Sequence, residues 1–71
     1  GNDLKIYHDG SNSYISDQGT GDLTVMSSQF VVNNAGNTEN MIIATADGSV
    51  NLYHNGTQKF RTVSAGAEIK A

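Results

Sequence analysis

Apolar and polar residues alternate in short bursts along this chain, and most bursts end at a glycine or an Asx-Gly pair. Asp3-Leu4-Lys5-Ile6-Tyr7 alternates with period two, which predicts a strand with Leu4 and Ile6 on one face and Lys5 and Tyr7 on the other. Asp9-Gly10 predicts a tight turn, Ser13-Tyr14-Ile15-Ser16 a brief returning strand, and the glycines of Asp17-Gln18-Gly19-Thr20-Gly21 a break. Asp22-Leu23-Thr24-Val25-Met26 repeats the one-sided pattern and predicts another strand, with Leu23 and Val25 as its inward pair. Gln29-Phe30-Val31-Val32 resumes extended structure after the soft interruption of Ser27-Ser28, through a kink or bulge. Asn33-Asn34-Ala35-Gly36-Asn37 then reverses the chain, because asparagine tolerates left-handed backbone and forms Asx turns.

From Glu39 to Ala46 the apolar residues run together without alternation. That is the pattern of a strand buried on both faces, with Met41 and Ile43 at its centre. Asp47-Gly48 turns the chain, Ser49-Val50-Asn51-Leu52-Tyr53 and Lys59-Phe60-Arg61-Thr62-Val63 predict a hairpin, and Ala65-Gly66 turns again. Glu68-Ile69-Lys70 is left as the start of a further strand. Helix has no support, since no window of helix length keeps an apolar stripe at helical period.

The second hairpin is an altered copy of the first. Residues 4–14 return as 50–60, pairing Leu4 with Val50, Ile6 with Leu52, Tyr7 with Tyr53, His8 with His54, Asp9 with Asn55, Gly10 with Gly56 and Tyr14 with Phe60. In each, alternating apolar residues lead to Asp-Gly or Asn-Gly, where the backbone enters positive φ. A repeated hairpin among short strands is a stacking unit. The chain therefore reads as all-β, a single short-strand repeat module over residues 1–71.

Size sharpens the picture. A chain of 71 residues, 37% hydrophobic and without cysteine, has little core and no covalent staple. Burial against other copies or neighbouring repeats answers the shortage, and pairing of strand edges with the next unit answers the edge problem. The net charge of −3, with four scattered Lys and Arg, offers no basic stripe for phosphates, so nucleic acid is not an expected partner. Met41-Ile42-Ile43-Ala44, the longest apolar run, is too short to span a bilayer, so no membrane is expected either. Opening on Gly1 points to a segment excised from a longer protein.

Taken in order, Asp3–Ile15, Gly19-Thr20-Gly21-Asp22-Leu23-Thr24-Val25, the Asn34-Ala35-Gly36 loop and Val50-Asn51-Leu52-Tyr53-His54-Asn55-Gly56 resemble a repeat of fibre and tail proteins of marine bacteriophages. The resemblance covers roughly residues 3 to 69. It implies a homotrimeric intertwined or stacked β structure, a β-helix-like or β-prism-like shaft in a virion tail fibre outside the cell. Its partners would be further copies of itself, neighbouring repeats of the parent fibre and, through the parent, a cell-surface glycan.

Candidate chemistry is sparse, and neither catalysis nor a cofactor is expected. Matching His8 and His54 would each form a ring of three imidazoles in a three-fold assembly, able to hold a metal, but two equivalent histidines are better explained as marks of a duplicated turn. Asp3, Asp9, Asp17, Asp22, Asp47 and Glu39 match the paired carboxylates of glycosidases only by number, since nearly all stand beside glycine or at strand ends, where turn geometry accounts for them. Asp9, Asn12 and Asp47 supply oxygen ligands without the spacing of a calcium loop. Tyr7, Tyr14 and Tyr53, with the asparagine-rich loops, are the candidate sugar contacts.

The expected role is mechanical: rigid, soluble length held in register by one-sided apolar pairs. Those pairs are Leu4/Ile6, Leu23/Val25, Phe30/Val32 and Val50/Leu52, with Met41 and Ile43 as the buried centre and Gly10, Gly36, Gly48 and Gly56 at the turns. The competing roles are a carbohydrate-binding adhesin module and a subunit of a self-assembling extracellular filament.

Overall fold

A computed structural model describes residues 3–71. The described residues form seven strands and no helix: β1 Leu4–His8, β2 Ser13–Asp17, β3 Gln29–Asn33, β4 Asn40–Thr45, β5 Val50–His54, β6 Thr57–Val63 and β7 Gly66–Ile69. Two antiparallel sheets result. β1 and β2 make a two-stranded hairpin, and β3 to β7 make a five-stranded meander in chain order. Short turns between consecutive strands permit only this neighbour-to-neighbour pairing. Strand contacts run only between sequence neighbours, so the hairpin packs on no strand of the larger sheet.

The cross-strand register sorts the side chains of the larger sheet. Val32 pairs with Ile42, Ile42 with Leu52, Leu52 with Phe60 and Phe60 with Ile69, so one row of apolar residues crosses all five strands on one face. Phe30, Ala44, Val50 and Ala67 flank it on the same face. The opposite face carries Val31, Ile43, Asn51, Arg61 and Glu68. Alternation over each strand follows the pleat, in which paired residues of an antiparallel sheet point the same way.

Four details depart from the sequence expectations. Residues 22–27, expected as a strand, run without turn, bend or bridge and make no main-chain hydrogen bond among the described residues. No strand is buried on both faces: Met41 is the extra residue of a bulge between β3 and β4 and is 46% exposed, while Ile43 lies on the face away from the apolar row. The bulge shifts the phase, so Ile42 and Ala44 take the apolar face instead. Finally, Glu68-Ile69 does not hang free; β7 folds back on β6, with Arg61 paired to Glu68.

The two copies of the repeated motif also fold differently. The first closes His8 on Ser13 over the four-residue loop 9–12, while the second closes His54 on Thr57 over Asn55-Gly56 alone. Both of those residues have positive φ, 52° and 79°, the signature of a type I′ turn. Loop length then decides which way the returning strand faces. Tyr14 comes back opposite Tyr7, whereas Phe60, displaced by a bulge at Lys59, comes back opposite Leu52.

Among the described residues no side chain is fully buried. The Cα radius of gyration is 15.4 Å, against about 11 Å for a compact chain of this length. Asn55 tolerates the left-handed backbone that alanine resists by about 1 kcal/mol. Asn55→Ala is therefore expected to lower unfolding stability by roughly 1 kcal/mol and Asn55→Gly to leave it nearly unchanged, as read by chemical denaturation.

Candidate functional site: an open apolar sheet face

The row Val32–Ile42–Leu52–Phe60–Ile69 crosses every strand of the larger sheet, and Val32, Ile42 and Phe60 are half-buried within it. Leu52 is 41% exposed and Ile69, at the free edge, 79%. On the hairpin, Ile6 pairs with Ile15 and shares its face with Leu4, and all three stand open. Of the residues that sequence reasoning assigned to assembly, Phe30, Val32, Val50 and Leu52 meet on the sheet face, and Leu4 and Ile6 meet on the hairpin. Leu23 and Val25 lie in the unpaired segment, and Met41 and Ile43 stand apart as described.

Sequence reasoning missed Ile15, Ile42, Phe60 and Ile69. Each is visibly apolar in the sequence, but only cross-strand pairing shows which face it joins. Turn geometry is likewise redistributed among the four assigned glycines. Gly10 and Gly56 have positive φ, but at the Gly36 and Gly48 turns the left-handed residue is Asn37 and Asp47 respectively. The Glu39 side chain lies over Gly56, where an added Cβ would stand in ordinary contact, 3.5 Å from Cγ and Cδ, so it is the positive φ that calls for glycine.

The polar candidates are held in local turn networks. The Asp9 carboxylate accepts the Ser11 amide at 2.9 Å and the Asn12 amide at 2.7 Å through Oδ1, and the Tyr14 hydroxyl at 2.8 Å through Oδ2. The Asn12 and Ser11 amides, then the Tyr14 hydroxyl, favour the ionised carboxylate and hold its pKa below the usual range. In the Asn33–Asn37 loop, Asn34 Oδ1 accepts the amides of Thr38 and Glu39, and Asn33 bridges Asn37 and Asn40. The Arg61 guanidinium donates to Glu68 at 2.8 Å and lowers the Glu68 pKa by hydrogen bond and charge.

His8 ends β1 on the Leu4/Ile6 face, with Nδ1 2.9 Å from Ser13 Oγ, and His54 ends β5 opposite Thr57. Among the described residues no three His, Cys, Asp or Glu side chains gather where an ion would be held. The tyrosines do not converge either. Tyr7 and Tyr14 stack on each other, with ring centroids 4.8 Å apart, while Tyr53 pairs with Gln58 on the face away from the apolar row. Compared with protein-family models, curated proteins and solved structures, the chain matches none.

The Asp9 network generates a pH dependence. Because its pKa is lowered on folding, the stabilisation is complete above the ordinary carboxylate range and disappears as pH falls through the lowered value. Thermal melts taken from about pH 6 down to about pH 2 should show a loss of stability on the acid side. Asp9→Asn keeps the Oδ1 acceptor of the turn but removes the charge, and should reduce that acid limb to the part contributed by Glu68 while lowering the melting temperature at neutral pH.

Proposed function

We propose that this chain is a structural repeat of a phage tail fibre, supplying rigid length in the shaft through self-association of three copies. The carrying observation is area. The chain exposes 5748 Å², whereas a folded monomer of 7.5 kDa exposes about 4,200 Å². The surplus of about 1,500 Å² matches two interfaces of standard size, at about 800 Å² per partner each. Two such interfaces serve a closed ring or an open stack alike, and the count of three comes from the resemblance to homotrimeric fibre repeats.

The apolar row supplies the matching chemistry. Covering a Leu or Ile side chain is worth roughly 1.5–3 kcal/mol, and every such gain is made once per copy. The order of motifs that resembles marine phage fibre repeats supports the same reading. With no gathered carboxylates or histidines among the described residues, the chemistry on hand favours packing.

Light scattering behind a sizing column, over a wide concentration range, is the test. A mass of three chains is expected. Leu52→Asp, on the apolar row, should shift the species toward monomer, whereas Thr45→Asp, on the opposite face, should leave three chains together. A folded monomer that gains thermal stability from sugars would replace the shaft by the adhesin module, and mass growing without limit would replace it by an open filament.

A further inference from the structure

Residues 22–27 combine two properties that do not belong together in a finished fold. Their sequence alternates as a strand, yet their main chain makes no hydrogen bond among the described residues, with Leu23 48% and Val25 62% exposed. Backbone groups and apolar side chains that are both ready for a sheet and unpaired are a strand without a partner. We infer that residues 22–26 of one copy add as a sixth strand to the β7 edge of a second copy, an inference that rests on the self-association proposed above.

The partner is a second copy because the chain cannot reach its own β7. Ser28 is anchored beside β4, where its carbonyl accepts the Ala46 amide at 2.9 Å. Val25 is three residues away, a reach of at most about 10 Å. β7 lies on the far side of the sheet from β3, four strand spacings or about 19 Å across.

The edge is that of β7 because the apolar row stops there with its last member least covered, Ile69 at 79% against 43% for Phe30 on the β3 edge. Charge selects the register. An antiparallel pairing with Leu23 opposite Ile69 and Val25 opposite Ala67 extends both apolar rows by one residue. It also sets Asp22 opposite Lys70 and Thr24 opposite Glu68 on the other face. The parallel alternative places Met26 against Lys70 and leaves Asp22 without a cation, and antiparallel pairs are the commoner kind.

The chain has no cysteine of its own, so an introduced pair reports one contact. Oxidised Val25→Cys/Ala67→Cys is expected to run as covalently linked copies on a non-reducing gel, and Val25→Cys/Ile69→Cys, two residues out of register, to link poorly. In the unmodified chain, hydrogen exchange at the Leu23 and Val25 amides, the two that face the β7 edge in this register, should slow at least tenfold between dilute monomer and the assembled form.

Linkage within one chain would overturn the exchange between copies, and equal linkage by both cysteine pairs would overturn the register. A three-chain mass with fast exchange at both Leu23 and Val25 would overturn the strand addition while leaving the shaft intact. A monomer at every concentration would remove both. If the cysteine variants fail to fold, the exchange measurement decides alone.

Discussion

A β-sheet satisfies its backbone sideways, strand to strand, but its side chains need a second layer above or below. Among the described residues five strands form one layer and no second layer covers it, since the remaining hairpin packs on none of the five. Every other property follows from that deficit. Main-chain hydrogen bonding and turn networks hold the sheet's shape, while the row from Val32 to Ile69 is only partly covered, with Leu52 and Ile69 exposed. The area left uncovered exceeds that of a compact chain of this size, and in the proposed shaft a solitary chain is one component of the stable object.

The two hairpins show how little local change redirects a strand. Asp9 folds the first turn around its own carboxylate, capturing two amides and the Tyr14 hydroxyl, and the loop needs four residues. Asn55 has no such network and adopts the left-handed backbone directly, so two residues suffice. Because side chains alternate faces, the difference in loop length and the bulge at Lys59 turn the second aromatic toward the apolar row. The first aromatic goes to a tyrosine stack instead. One copy of the motif thereby contributes Phe60 to the packing surface, and the other contributes a closed polar turn.

The proposed structural role and the scarcity of gathered chemistry are two views of the same arrangement. Several polar side chains close turns with near neighbours, as His8 does with Ser13 and Asp9 with Tyr14, and the exposed apolar residues lie along the strands and in the unpaired segment before β3. The proposed shaft would use this division, with apolar contacts between copies setting length and register. The polar turns only have to close each strand and stay soluble. Both free edges and the unpaired stretch before β3 give such copies a means of joining as well as packing.

The sequence by itself determined an all-β chain, because period-two alternation and Asx-Gly punctuation are local and leave no room for a helical stripe. Six of its strands were legible where they occur, as were the turns at Asp9-Gly10, Asp47-Gly48 and Asn55-Gly56. Tertiary structure decided what depends on partners. The bulge at Met41 exchanged Met41 and Ile43 for Ile42 and Ala44 on the apolar face, and the bulge at Lys59 separated Phe60 from its apparent equivalent Tyr14. Residues 22–27 stayed unpaired despite strand alternation, and residues 68–69 paired despite standing at the end of the pattern. Alternation says which residues share a side of one strand. Only the hydrogen-bonded register with a neighbour says which side that is, or whether a neighbour is there at all.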